Sequence, residues 1–200
     1  MRTAVLALST ALIAAAGPAL AQATTTNPAA VRSGTFKVEP THTRVLFAVN
    51  HMGFTTWYGN FSDPSGTLVL HADKPNTSTL TVTVPIASVS TTNAKLDSEL
   101  KEADWLNAAK FPTATFTATQ IRAIGGNASV AGTLTLHGVT RPVVFGVKFN
   151  GAGVNPLDNA YTVGFEVRGQ IKRSDFGVAK YVPLVGDDVE LVISAAFERK

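Results

Sequence analysis

The 200-residue sequence has no cysteine, two methionines, two tryptophans and only 16% charged residues. Without cysteine there is no disulfide framework and no site for lipid attachment through sulfur, so a core must hold by burial alone. A metal site would need three or four converging His, Asp or Glu side chains. The four histidines, His42, His51, His71 and His137, form no His-x-x-x-His pair. No Gly-x-Ser-x-Gly nucleophile elbow occurs, and Gly125-Gly126 lacks the spacing of a phosphate loop. No catalytic residue and no metal ligand is therefore expected. An excess of one charge is missing too. Lys+Arg is 17 against 14 Asp+Glu, and Lys172-Arg173 is the one neighbouring basic pair apart from Arg199-Lys200 at the end. Nucleic acid is not an expected partner.

Long hydrophobic runs are confined to the start of the chain. Arg2, the apolar stretch Ala4 to Ala16 and the small-residue site Ala19-Leu20-Ala21 read as a secretory leader over residues 1–21, too short to span a bilayer. Its removal leaves 179 residues (200 minus 21) and a net charge of +2 (16 minus 14). That length suits one soluble domain outside the cytoplasm, able to bury a sizeable core. Residues 22–34, rich in Thr, Asn, Pro and Ala, read as a flexible lead-in, which leaves the domain to residues 35–200.

From Thr35 onward the pattern is short alternating runs between turn residues, the mark of antiparallel sheet. Ten strands are expected: 35–39, 44–52, 55–62, 66–71, 80–86, 113–121, 128–136, 143–149, 161–171 and 189–197. Turns are expected at Asp63-Pro64-Ser65-Gly66, Lys74-Pro75-Asn76, Gly125-Gly126-Asn127 and Gly186-Asp187-Asp188. Between Asn93 and Asn107 the period changes, with Leu96, Leu100 and Ala103 at helical spacing and Asn93 as cap. The fold class is all-β with one short helix. A closed barrel and a two-sheet sandwich both suit this pattern; closure favours the barrel because it removes exposed edges.

Parity singles out a few polar residues. Val45, Phe47, Val49 and His51 share one face, so His51 is either a core histidine with a partner or a ligand contact. Val163, Phe165, Val167, Gly169, Ile171 and Arg173 share another. Arg173 could there meet an anionic or carbonyl headgroup, bend to solvent, or pair with Asp175 or Asp97. His71 and His137 share parity with threonines and read as solvated strand ends. Ser174-Asp175 reads as a turn or cap.

Several ordered segments carry a resemblance. They are Pro40-Thr41-His42-Thr43, Phe47 with His51, Gly59-Asn60-Phe61, Phe111-Pro112 with Phe116, Gly132 to Thr140, Arg173-Ser174-Asp175-Phe176-Gly177 and Val185 to Val189. In this combination the chain resembles the YceI-like family. Glu39, Thr43 and Trp105-Leu106 stand where that family often has Asp, Ser and paired phenylalanines. The resemblance implies an extended antiparallel lipocalin-like β-barrel with a hydrophobic interior. It also implies a periplasmic location, a bound isoprenoid or other long-chain amphipathic lipid, and neither catalysis nor a cofactor. The expected tunnel wall is Phe47, Phe54, Phe61, Trp105, Phe111, Phe116, Phe165 and Phe176, with His51 and Arg173 at the polar end. Transient membrane contact and a homodimer are left open. Two other readings stand beside the carrier: an enzyme on a small or lipidic substrate, with a metal at a histidine, and a ligand-free structural or stress-related barrel.

Overall fold

Alternation of inward apolar and outward polar residues gives ten strands in a computed structural model that describes residues 24–200. They are β1 (Gly34–Val38), β2 (Arg44–His51), β3 (Thr55–Phe61), β4 (Ser65–Leu70), β5 (Thr79–Pro85), β6 (Thr113–Ile124), β7 (Asn127–Leu136), β8 (Val139–Val154), β9 (Tyr161–Lys172) and β10 (Val185–Arg199). The expected leader lies outside the described residues.

The ring closes because β10 serves two partners on one side. Its C-terminal part pairs with β1, Phe36 with Arg199 and Val38 with Phe197. Its longer N-terminal part pairs with β2, from Arg44 with Ser194 to His51 with Val185. β1 and β2 thus form one bent strand, and β4 with β3 forms its neighbour. With β5 to β10 this makes an eight-strand closed antiparallel barrel. One end, the cap end, carries the β2–β3 turn, the 86–112 segment, the β7–β8 turn and the 173–184 loop. The other, the hairpin end, carries residues 24–33 and the β4–β5, β6–β7 and β8–β9 turns.

Three local expectations change. Helix α1 covers only Ala94–Glu99, capped by Asn93 Oδ1, which accepts from the N–H groups of Lys95 (3.1 Å) and Leu96 (3.2 Å). A helix continued to Asn107 would point Leu100, Trp105 and Leu106 in three directions. The turns that replace it bring all three to the barrel interior. Gly186-Asp187-Asp188 is not a turn but an irregularity inside β10, where the register with β2 shifts between Val185 and Val189. Residues 24–33, read as flexible, lie along the hairpin end. Thr25 exchanges backbone hydrogen bonds with Ala152 (2.7 and 2.9 Å), and the Arg32 guanidinium lies 4.6 Å from the Tyr161 ring centre.

Among the described residues β3 has no strand on its outer edge facing β5. Ser90 fills part of that gap, exchanging two backbone hydrogen bonds of 2.9 Å with Asn60, and Ile86 and Val89 are buried beneath. Toward the hairpin end Phe36, Val38, Leu68, Ala152, Val163 and Phe197 form a buried cluster on one side of the barrel. A cavity borders it at Val38, Leu68 and Phe197.

Candidate functional site: an apolar cavity in the barrel

An eight-strand barrel is just wide enough to be filled by its own side chains or to hold one ligand. Here the inward residues decide for the second. Most are Val, Leu, Ile or Ala, which do not reach the barrel axis. Three of the larger ones are kept against the wall: the rings of Phe47, Phe116 and Phe145 occupy the space that a Cβ would need on Gly59, Gly132 and Gly169. What remains is a cavity of about 400 Å³. Both Asn127 and Leu136, at the two ends of β7, line it, so it follows about 30 Å of that strand. Thr43, Ser78, Asn127 and Arg173 supply the polar side chains around it, apart from the indole of Trp105. Such a space excludes water and favours hydrocarbon.

Six of the ten expected site residues line the cavity: Phe47, Phe61, Trp105, Phe116, Phe165 and Arg173. Phe47 and Phe61 pack with ring centres 5.6 Å apart. The other four are corrections. His51 has the inward parity, but it is the last residue of β2, beyond the cavity, and its ring stacks on Trp57 at 5.0 Å. Phe54 stands in the β2–β3 turn, where strand alternation no longer applies, and is 85% exposed. Phe111 precedes β6 and packs edge-on against His137, with centres 4.8 Å apart. Phe176 is buried in the 3-10 turn Arg173–Phe176, away from the cavity. Phe145 and Phe149 belong to the wall and were not singled out by sequence, although their alternation along β8 carried the signal.

His137 is also a correction, since it is not a solvated strand end. It sits in the β7–β8 turn with φ of 51°, its Nδ1 3.1 Å from the Phe176 carbonyl. Its Nε2 is buried without a partner among the described residues.

Arg173 is 6% exposed at the cap end of the cavity, and its charge meets backbone dipoles. Nε donates to the Gly186 carbonyl (2.8 Å), one terminal nitrogen to Val178 (2.9 Å) and the other to Val185 (2.8 Å). Neither Asp175 nor Asp97 pairs with it. Burial pushes its pKa down, opposed by the nearby Asp187. Trp105 lies between Arg173 (5.6 Å) and Lys180 (5.5 Å), and its indole N–H donates to Glu99 (3.2 Å). Lys180 pairs with Asp104 at 2.5 Å and reaches Glu99 at 3.8 Å. This set ties the 94–106 segment to the 173–184 loop. Among the described residues no three His, Asp or Glu side chains converge as a metal site would require.

This architecture is that of solved structures. The sequence profile described as the YceI-like domain matches residues 36–197. The chain belongs to the YceI-like family. It is 38% identical over 156 residues to the YceI protein of Salmonella arizonae, covering 78% of this chain and 81% of that one. It is 37% identical over 159 residues to a UPF0312 protein of Pectobacterium atrosepticum, covering 80% and 82%. The YceI protein of Campylobacter jejuni superposes with a TM-score of 0.68 at 31% identity, covering 76% of this chain and 90% of that one. A polyisoprenoid binding domain from Saccharophagus degradans shares the fold, with a TM-score of 0.61 at 15% identity over 84% of this YceI-like chain and 100% of the other.

Proposed function

We propose that the protein is a periplasmic carrier of an isoprenoid or another long-chain amphipathic lipid, held in the barrel without catalysis. The observation that carries this reading is the cavity: long, apolar along most of its wall and free of its own side chains. Each methylene buried there contributes roughly 0.8 kcal/mol, so a long tail is retained without specific polar contacts. Leaving a membrane costs the same tail a comparable amount, which leaves the net affinity moderate and the exchange reversible. The name polyisoprenoid binding, borne by the Saccharophagus degradans domain of the same fold, suits such a space. The leader read over residues 1–21 supports export.

The polar groups support binding over chemistry. Arg173 uses all three nitrogens on backbone carbonyls, and no histidine faces the cavity. A barrel filled by its own side chains would leave no space of this size. Mass spectrometry of organic extracts from natively purified protein tests the proposal. A stoichiometric long-chain lipid is expected; protein that holds none and takes none from vesicles would refute it.

A further inference from the structure

Among the lining residues of the cavity only Gly125 and Asn127 are exposed, both at the β6–β7 turn. At the cap end the lining residues Ile86, Trp105, Arg173 and Val178 are buried, and Leu100, Leu106, Leu136 and Val185 are half-buried. The mouth is therefore at the hairpin end.

The surface around that mouth has its own chemistry. Ile124, immediately before Gly125, is 83% exposed, and Leu157 on the β8–β9 turn of the same end is 90% exposed. Arg122 lies two residues from Ile124 on the same outward face of β6. Lys148 pairs in register with Asn127. Lys74 sits in the β4–β5 turn, whose Asn76 Oδ1 accepts from the Ala123 N–H at 2.8 Å. Among the described residues none of these three cations forms an ion pair. Arg122 donates to Gln120 (3.1 Å), and Glu166, which faces Lys148 across the ladder, is held by Arg168 at 2.8 Å. Asp73, next to Lys74, is the acid of that turn. The cap end also exposes apolar residues, Met52, Phe54 and Leu184, and beside the paired Lys172 and Lys180 it carries Lys95, Lys101 and Lys110 without ion pairs among the described residues; what sets the hairpin end apart is the mouth of the cavity.

We propose that the hairpin end docks on the surface of an anionic lipid bilayer, with Ile124 and Leu157 entering the interface and Lys74, Arg122 and Lys148 meeting lipid phosphates. An unpaired cation beside an exposed apolar side chain is the combination that anionic bilayers attract. Docking in this pose sets the mouth against the membrane, so that a tail passes between bilayer and cavity without crossing water. The inference rests on the carrier reading and adds to it the face through which cargo moves.

Vesicle flotation separates the two ideas. Protein should float with vesicles of phosphatidylglycerol and phosphatidylcholine, and not with phosphatidylcholine alone. The double variant Arg122→Glu, Lys148→Glu should lose at least tenfold in flotation and slow the uptake of a fluorescent fatty-chain probe from the anionic vesicles by a similar factor. Its equilibrium binding of the same probe from solution, and its thermal midpoint, should stay as in the parent. Unchanged flotation of this variant, or loss of flotation in Phe54→Asp instead, overturns the docking surface. Probe binding without any flotation of the parent protein sinks the docking surface alone. Flotation without any probe binding sinks the carrier reading and leaves the surface standing.

Discussion

The ring of Phe47 on β2 fills the place that a Cβ on Gly59 of β3 would take. The two face each other in register; Phe61 packs against the ring with centres 5.6 Å apart, and the ring also borders the cavity. Gly59→Ala therefore has somewhere to push. The displaced ring swings into the lumen, so the loss of stability should sit at the low end of the usual overpacking cost of about 1 to 3 kcal/mol. The space for a ligand shrinks at the same time. Weaker binding of a fatty-chain probe with a nearly unchanged denaturant midpoint is expected. A large loss of stability with binding per folded molecule unchanged would show that Phe47 is wedged in a filled core.

Arg173 should matter to the fold more than to the ligand. Replacing it with Met leaves the buried carbonyl of Val178 without this donor, at about 1 to 3 kcal/mol, and the part-buried carbonyls of Val185 and Gly186 at a smaller cost each. A total loss of about 3 to 5 kcal/mol is expected by urea titration, against a partial recovery in Arg173→Lys, whose three N–H donors leave from one nitrogen and cannot span carbonyls placed around a planar guanidinium. A Met variant as stable as the parent but unable to bind a lipid probe would make Arg173 a ligand contact instead.

Strand parity made much of this readable in advance. Phe47, Phe61, Phe116 and Phe165 point inward because side chains alternate along strands, and alternation is a property of sequence alone; Arg173, the first residue after β9, keeps the inward side of that strand. The partners of Arg173 were not readable. Two of its three acceptors belong to residues 12 and 13 positions later, and nothing in a residue type marks a carbonyl that the backbone leaves free. Phe54 and Phe176 were misplaced for a related reason: each follows a strand by a few residues, where the period of two ends. The bent pairs β1/β2 and β3/β4 were likewise invisible, since two short strands separated by a few residues read as separate staves.

The Lys180 latch should govern local motion. Lys180→Ala removes the ion pairs with Asp104 and Glu99 and one of the two cations against Trp105. Hydrogen exchange in residues 94–108 should accelerate while the β9 and β10 amides keep their protection. Asp104 is exposed and Lys180 and Glu99 are half-buried, so added salt should imitate the substitution in part in the parent protein. Equal acceleration across all strands would mean that the latch holds the whole barrel and not the cap.

Asp187 gives a pH dependence of definite sign. Burial raises its pKa, but hydrogen bonds from the Ser174 N–H (2.9 Å) and Oγ–H (2.8 Å), with the charges of Lys172 and Arg173, outweigh that and hold it below the ordinary 3.8. A carboxyl depressed in the folded state stabilises above its unfolded pKa, and the gain is lost as the pH falls through the folded value. The stability difference between the parent and Asp187→Asn should therefore be constant near neutrality and shrink below pH 3.8. Urea midpoints across a pH series measure it. A difference that widened toward acid would contradict the assignment.

The double service of β10 fixes an order of events. Every neighbouring pair without β10 joins strands that can meet earlier along the chain, but the seams of β10 with β1, at Phe36–Arg199 and Val38–Phe197, and with β2, from Arg44–Ser194 to His51–Val185, need the last strand. Until that strand arrives, β1 and β2 lack the ladder that holds them, and the apolar lumen stays an open sheet. Seams between such distant residues form slowly. A growing or threading chain therefore remains unsealed until its final strand is delivered, and it becomes a container in a single late step.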